Sequence, residues 1–173
     1  MKLVINLDSL VEKVMAQLAK RQHQHYDCTY QATVSVPDTQ IFLDYATVVI
    51  TNVSIELLTA LYRLDTDNAW VAWILQGIDY QVTFQLSLNE LAVHFIPRKM
   101  LLDWPILFIT NRHQLVQALA HRVVTRQDLA AMPDKSLVVV TRDQHLTAEA
   151  TDLLAAKDMK LQTRTDEDCI WQK

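Results

Sequence analysis

Four apolar, β-branched runs punctuate this chain: ATVVITNVS, YQVTFQLS, WPILFIT and KSLVVVT. Between them lie stretches with helical spacing, too long for hairpin turns. IELLTALYRL is capped by Ser54 or Asn52, and AWVAWILQ is closed by Gly77. NELAVHFI opens on a Ser87/Glu90 box, QLVQALAHR follows the third run, and RQDLAAM has a Thr125/Asp128 box. LTAEATDLLAAKDM begins at Thr147. QATVSV, with Ala32, Val34 and Val36 on one side, and the terminal KLQTR add two shorter strands. Strands that alternate with crossover helices are built into parallel neighbours. The expected fold is therefore α/β and Rossmann-like, a mainly parallel sheet with flanking helices.

A different pattern occupies the front of the chain. Leu7, Leu10, Val11, Val14, Met15 and Leu18 recur at spacings of three and four and so share one side of a helix. Ser9 with Glu12 suggests a capping box, and Lys20 and Arg21 suit the negative pole at the helix end. The polar RQHQHYDCTY follows without periodicity. This predicts an N-terminal amphipathic helix over 1–21, a polar linker over 22–31 and an α/β domain over 32–173. Two fates are open to the stripe. It docks on the chain's own sheet, or it lies in a partner's groove as i, i+3, i+4, i+7 helices do.

Composition narrows the chemistry. Sixteen basic against twenty acidic side chains give a net charge of −4 in 173 residues, so nucleic acid is not an expected partner. No run approaches the ~20 apolar residues of a membrane-spanning helix, and the opening MKLVINLDS has too short an apolar stretch for a secretory leader. A cytoplasmic protein without membrane contact is expected. Gly77 is the single glycine, which removes the G-x-G-x-x-G turn and the Walker loop, because each needs several positions without a Cβ. Cys28 and Cys169 form no disulfide framework.

Few residues nominate a site. His23, His25 and Cys28 form H-x-H-x-x-C, a set that could bind a transition metal but lacks a fourth ligand, and no metal is assigned. His94, His113, His121 and His145 have no nucleophile or carboxylate at a motif spacing. Asp65, Asp67 and Thr165 to Asp168 read as acidic turns, and Trp70 and Trp73 as core at helical spacing; Trp104 and Trp171 complete the tryptophans. A rival reading places a flavin or cobalamin cofactor beyond the strand ends, at Thr51, Asn52, Ser87, Thr110, Asn111 and Thr141. Otherwise no catalytic residue and no cofactor is expected.

From Val123 to Leu161 the chain resembles an element that recurs among proteins of bacterial microcompartments. Val/Ile-Thr opens a short helix with an acidic residue three on, a Val-rich strand follows, and Leu-Thr-x-x-Ala-x-Asp heads a second helix. Those positions are Thr125, Asp128, Leu137 to Val140, Leu146, Thr147, Ala150 and Asp152. With the N-terminal helix and the central LDYATVVITNVSIELLTALY, most of the chain is similar to assembly proteins of the propanediol-utilisation microcompartment. The resemblance implies a non-catalytic structural protein of that cytoplasmic organelle, an adaptor between cargo and shell. It brings no catalytic residues. In this reading Leu7, Leu10, Val11, Val14, Met15 and Leu18 form the helix face that attaches to a shell or cargo protein.

Overall fold

A computed structural model describes residues 7–164. Within them seven strands form one sheet, β1 (His25–Thr29), β2 (Thr47–Thr51), β3 (Thr83–Leu88), β4 (Ile106–Thr110), β5 (Leu115–Ala118), β7 (Leu137–Thr141) and β9 (Lys160–Arg164), in the order β1-β2-β3-β4-β5-β7-β9. β6 (Val123–Val124) and β8 (His145–Leu146) pair separately. The helices are α1 (Leu7–Gln22), α2 (Ile41–Asp44), α3 (Ile55–Tyr62), α4 (Ala69–Asp79), α5 (Arg98–Asp103), α6 (Arg126–Ala130) and α7 (Ala148–Ala156). The expected α/β architecture holds: a mostly parallel sheet flanked by helices, with a helix at the front.

β1 to β4 run parallel, β4 and β5 are antiparallel, and β5, β7 and β9 run parallel again. The sheet is thus two parallel halves pointing in opposite directions. One face carries Val48, Ile50, Phe84, Leu86, Phe108, Val116, Leu137 and Val139 into a core shared with Leu57, Leu58 and Leu61 of α3 and Trp70, Val71, Trp73 and Ile74 of α4. Val93, Ile96 and Met100 extend that core. On the other face the second half is covered as well, where Val138 and Val140 pack with Val124, Leu129, Met132, Ala150 and Met159. β7 is therefore buried on both sides, which explains its unbroken apolar run.

The remaining quarter is open. Thr47, Val49 and Thr51 of β2, Gln85 and Ser87 of β3, and Leu107 and Ile109 of β4 face away from the main core, and none of them is buried. Among the described residues neither core extends over them.

Local chemistry sets the helix starts. The Ser54 hydroxyl accepts from Leu57 N–H at 3.2 Å, Asn68 Oδ1 from Trp70 N–H at 3.0 Å, and Thr147 Oγ1 from Ala150 N–H at 3.2 Å. At α6 the Asp128 carboxylate accepts from both Thr125 N–H and its hydroxyl at 2.8 Å. Lys157 closes the other end of α6, donating to Ala130 O at 2.9 Å and Met132 O at 2.6 Å.

Several sequence expectations need correcting. The segment expected as a polar linker, 22–31, contains the edge strand β1, which pairs with β2 from His25↔Thr47 to Thr29↔Thr51. Tyr26 and Cys28 turn inward against the main core, as does Tyr30 just beyond, while His25, Asp27 and Thr29 turn out. Conversely, QATVSV forms no strand; Val34 N–H bonds back to Gln31 O in a turn, and Val34 is exposed. QLVQALAHR is not helical, because the turn at His113 (φ 59°) returns Leu115–Ala118 onto β4. NELAVHFI is a 3₁₀ helix, Glu90–Phe95, capped by Asn89 and not Ser87, which belongs to β3. Ser9 lies inside α1 and is not its cap.

Gly77 does not end α4 but sits inside it, on buried ground. A Cβ there would run into Phe84 Cζ and come within 2.6 Å of Phe84 Cε2 and 3.0 Å of Phe42 Cε1. Gly77→Ala gains ~1 kcal/mol of helix propensity but overpacks two fully buried rings at a cost of ~1–3 kcal/mol or more. We expect a net destabilisation of about 1–2 kcal/mol in urea unfolding; a variant as stable as the parent would contradict the close packing of α4 on β3.

Candidate functional site

The feature that stands apart from the folded body is α1. Its sequence favours helix, with Asp8 in the first turn and Lys20 and Arg21 in the last, each matching the dipole. Its apolar side has no cover among the described residues: Leu10 is 49 % exposed, Val11 53 %, Val14 51 %, Met15 63 % and Leu18 47 %. Leu7 is the first residue of α1, and its side chain lies outside the described set. The apolar positions expected from periodicity are thus all about half exposed from Leu10 to Leu18, with Met15 and Leu18 nearest the body.

α1 is held at its end. The Arg21 guanidinium donates through Nε to Tyr45 O at 3.2 Å and through Nη2 to Tyr80 O at 2.7 Å. Ala46 N–H donates to Arg21 O at 3.2 Å and to Gln24 O at 3.3 Å. One turn earlier, Gln17 Nε2 reaches Asp44 Oδ1 at 3.3 Å across solvent. Met15, Leu18 and Ala19 border a shallow hollow of about 390 Å³ against Ala46 and Gln81. These bonds fix where the helix leaves the body without burying its stripe.

A second surface is the open quarter of the sheet. It forms a trough of about 520 Å³ running from Gln22, His23 and Gln24 at the strand starts to His113 at the β4–β5 turn. Its floor includes Thr47, Val49, Thr51, Gln85, Ser87 and Ile109, and His25 and Asp27 form its β1 rim, their Nε2 and Oδ2 atoms 3.6 Å apart.

The other sequence candidates do not converge. Strand alternation sends His25 to the trough and Cys28 to the opposite face, against the core. Among the described residues no three His, Cys, Asp or Glu side chains cluster as metal ligands would. Thr51, Asn52, Ser87, Thr110 and Asn111 share one end of the sheet, whereas the reversal at β4–β5 sends Thr141 to the other. Three of them have engaged side chains: Thr51 Oγ1 donates to Cys28 O, Asn52 Nδ2 donates to Tyr30 O, and Thr110 Oγ1 accepts from Gln114 N–H. Nor does the strand order reverse direction anywhere, so the crevice that receives ligands in doubly wound sheets is missing.

Trp70 and Trp73 are core residues, edge-to-face at 5.8 Å, and Trp104 packs against the same core. Trp171 and Thr165 to Asp168 lie outside the described residues. Asp65 accepts from Asp67 N–H in a turn, His94 meets Gln162, and His121 lies 3.2 Å from Asp128. Thr125, through its N–H and then its hydroxyl, and His121 beside them hold the Asp128 carboxyl below the usual range. No described helix is long and apolar enough to cross a membrane. The missed signal is the two-residue alternation Tyr26, Cys28, Tyr30, hidden by the polar Asp27 and Thr29 between them and the histidines just before.

Comparison with known proteins adds a family. The model of a family described as "Putative propanediol utilisation" matches residues 9–160. "Bacterial microcompartment assembly protein PduM" of Salmonella typhimurium is 28% identical over 158 residues, which cover 87% of this chain and 94% of that protein. No solved structure matches the chain.

Burial, and then the neighbouring Asp27 carboxylate, push the Cys28 thiol up from 9.0 to about 11. Since the thiolate is the reactive form, a Cys169→Ser variant should be alkylated by iodoacetamide at pH 7.5 roughly a hundredfold more slowly than an ordinary free cysteine, with the rate still climbing above pH 10. Labelling at the ordinary rate would show that β1 does not bury this side chain.

Proposed function

The chain belongs to the propanediol-utilisation family whose model spans residues 9–160, and we propose that it is a structural assembly protein of a bacterial microcompartment that handles 1,2-propanediol. In this reading it acts without catalysis, as an adaptor between shell and cargo inside the cytoplasmic organelle. Its relative in Salmonella typhimurium carries the name of a microcompartment assembly protein, which supports the broader role. The observation that carries the finer one is the stripe of Leu10, Val11, Val14, Met15 and Leu18, five apolar side chains each about half exposed on a helix held by bonds of Arg21 and Gln17 in its second half. Segment 1–21 then serves as the attachment helix, and the sheet domain folds behind it.

The energetics suit a repetitive partner. Covering the exposed half of five apolar side chains, at ~1.5 kcal/mol for each full burial, gives about 4 kcal/mol gross, against association and ordering losses of several kcal/mol. A single helix contact is weak. Many copies facing one shell or one cargo aggregate bind well through avidity, because each later contact forms at high effective concentration.

The test is a double substitution, Leu10→Glu with Val14→Glu, in cells induced to build compartments. Both positions are solvent-facing, so the domain should keep its circular dichroism and melting midpoint, while co-sedimentation with compartments is lost. A soluble double variant that still co-sediments would refute attachment through α1.

A further inference from the structure

The stripe on α1 and the open quarter of the sheet are two unfilled halves of a helix-on-sheet contact. Half-sheets built of parallel strands are covered on both faces almost without exception, since their crossover helices occupy them. Here β1 to β4 have one face covered by α3 and α4 and the other open over Val49, Gln85, Leu107 and Ile109. The open patch is five residues long in β2 and β4 and four strands wide, on the order of 17 Å by 15 Å. One helix of about 10 Å diameter fills it. Leu107, 39 % exposed, lies on its β4 side with Ile109 on the same strand, Val49 sits two strands away across Gln85, and Thr47, Thr51 and Ser87 surround them.

The chain's own α1 is tethered away from this patch. Only His23 and Gln24 separate α1 from β1, and the Arg21 bonds to Tyr45 O and Tyr80 O hold the helix end beside the strand starts. A second copy carries the same helix without that constraint. We propose that in the free protein two copies exchange α1 helices, each stripe lying on the open quarter of the other sheet about a twofold axis. This rests on the reading of α1 as an outward docking helix and adds its counter-surface.

Area selects a second copy over a partner offering one helix. A single helix seated on four strands buries on the order of 800 Å² in total, below the roughly 1,000 Å² that specific contacts need. Two reciprocal seats reach about 1,600 Å², the size of a standard stable interface, and the arrangement closes on itself and does not propagate. Self-exchange and attachment use one stripe and exclude each other, so the dimer keeps the apolar face covered until a compartment partner takes its place.

Sedimentation velocity of the full chain from about 1 to 100 μM tests this, with Leu107→Lys on the sheet and Val14→Glu on the helix. The parent should show a monomer–dimer equilibrium. Each variant should weaken it at least tenfold with unchanged circular dichroism and melting midpoint, since both positions are exposed. A parent that stays monomeric, with the face covered by residues 165–173 or only by a compartment protein, overturns the proposal, as does Leu107→Lys dimerising as tightly as the parent. If the parent is monomeric while Leu10→Glu with Val14→Glu still loses compartments, the exchange falls and the attachment reading stands.

Discussion

The packing of Phe42, Trp73 and Phe84 beneath Gly77 is the constraint on which the rest of the structure depends. Phe42 and Trp73 lie 5.0 Å apart, and Trp73 and Phe84 meet edge-to-face at 5.7 Å. The missing Cβ at Gly77 lets α4 come down onto these rings. That cluster joins α2, α4 and β3 on one face of the first half-sheet, and α3 fills the space beside them. With that face occupied, α3 and α4 complete the core over this half of the sheet. α1, which enters at the edge strand, is left outside it.

The reversal at β4–β5 has the complementary effect. It turns the chain so that α6 and α7 cover the second half of the sheet on the face that the first half leaves open. Among the described residues the molecule thus presents an uncovered helix and an uncovered sheet quarter together. Contiguous exposed apolar side chains such as Leu10, Val11, Val14, Met15 and Leu18 mark interaction sites in folded proteins. The strand ends, where enzymes on α/β sheets gather their chemistry, are taken up by turn hydrogen bonds and divided between opposite edges. An assembly role is therefore the reading that the distribution of exposed and engaged groups supports.

Much of this was legible in the residues. The β-branched runs at 47–51 and 137–141 and the caps at Ser54, Thr147 and Thr125 announce themselves because local propensity and tertiary packing agree there. The α1 stripe was legible from its spacing alone, with no burial in the described body to override it. Where the two conflict, the reading failed. β1 carries His25 and Asp27 toward an open face, so half its positions are polar and its alternation resembles a linker. Leu115, Val116 and Leu119 have the spacing of a helix, yet a left-handed turn at His113 and pairing with β4 draw Leu115 and Val116 into a strand. Gly77 reads as a helix stop, and only the rings across from it reveal a packing role. The open quarter could not be foreseen at all, because it results from strand order and not from any one segment.

Hydrogen exchange resolved along the chain bears most directly on whether α1 stands clear of the body. At concentrations low enough to keep copies apart, amides of residues 10–20 should exchange through local fraying, orders of magnitude faster than those of Val48 to Ile50 and Phe84 to Leu86. Protection of α1 equal to that of those central strands would mean that the helix shares the core's stability, and the account of an outward docking stripe would be wrong.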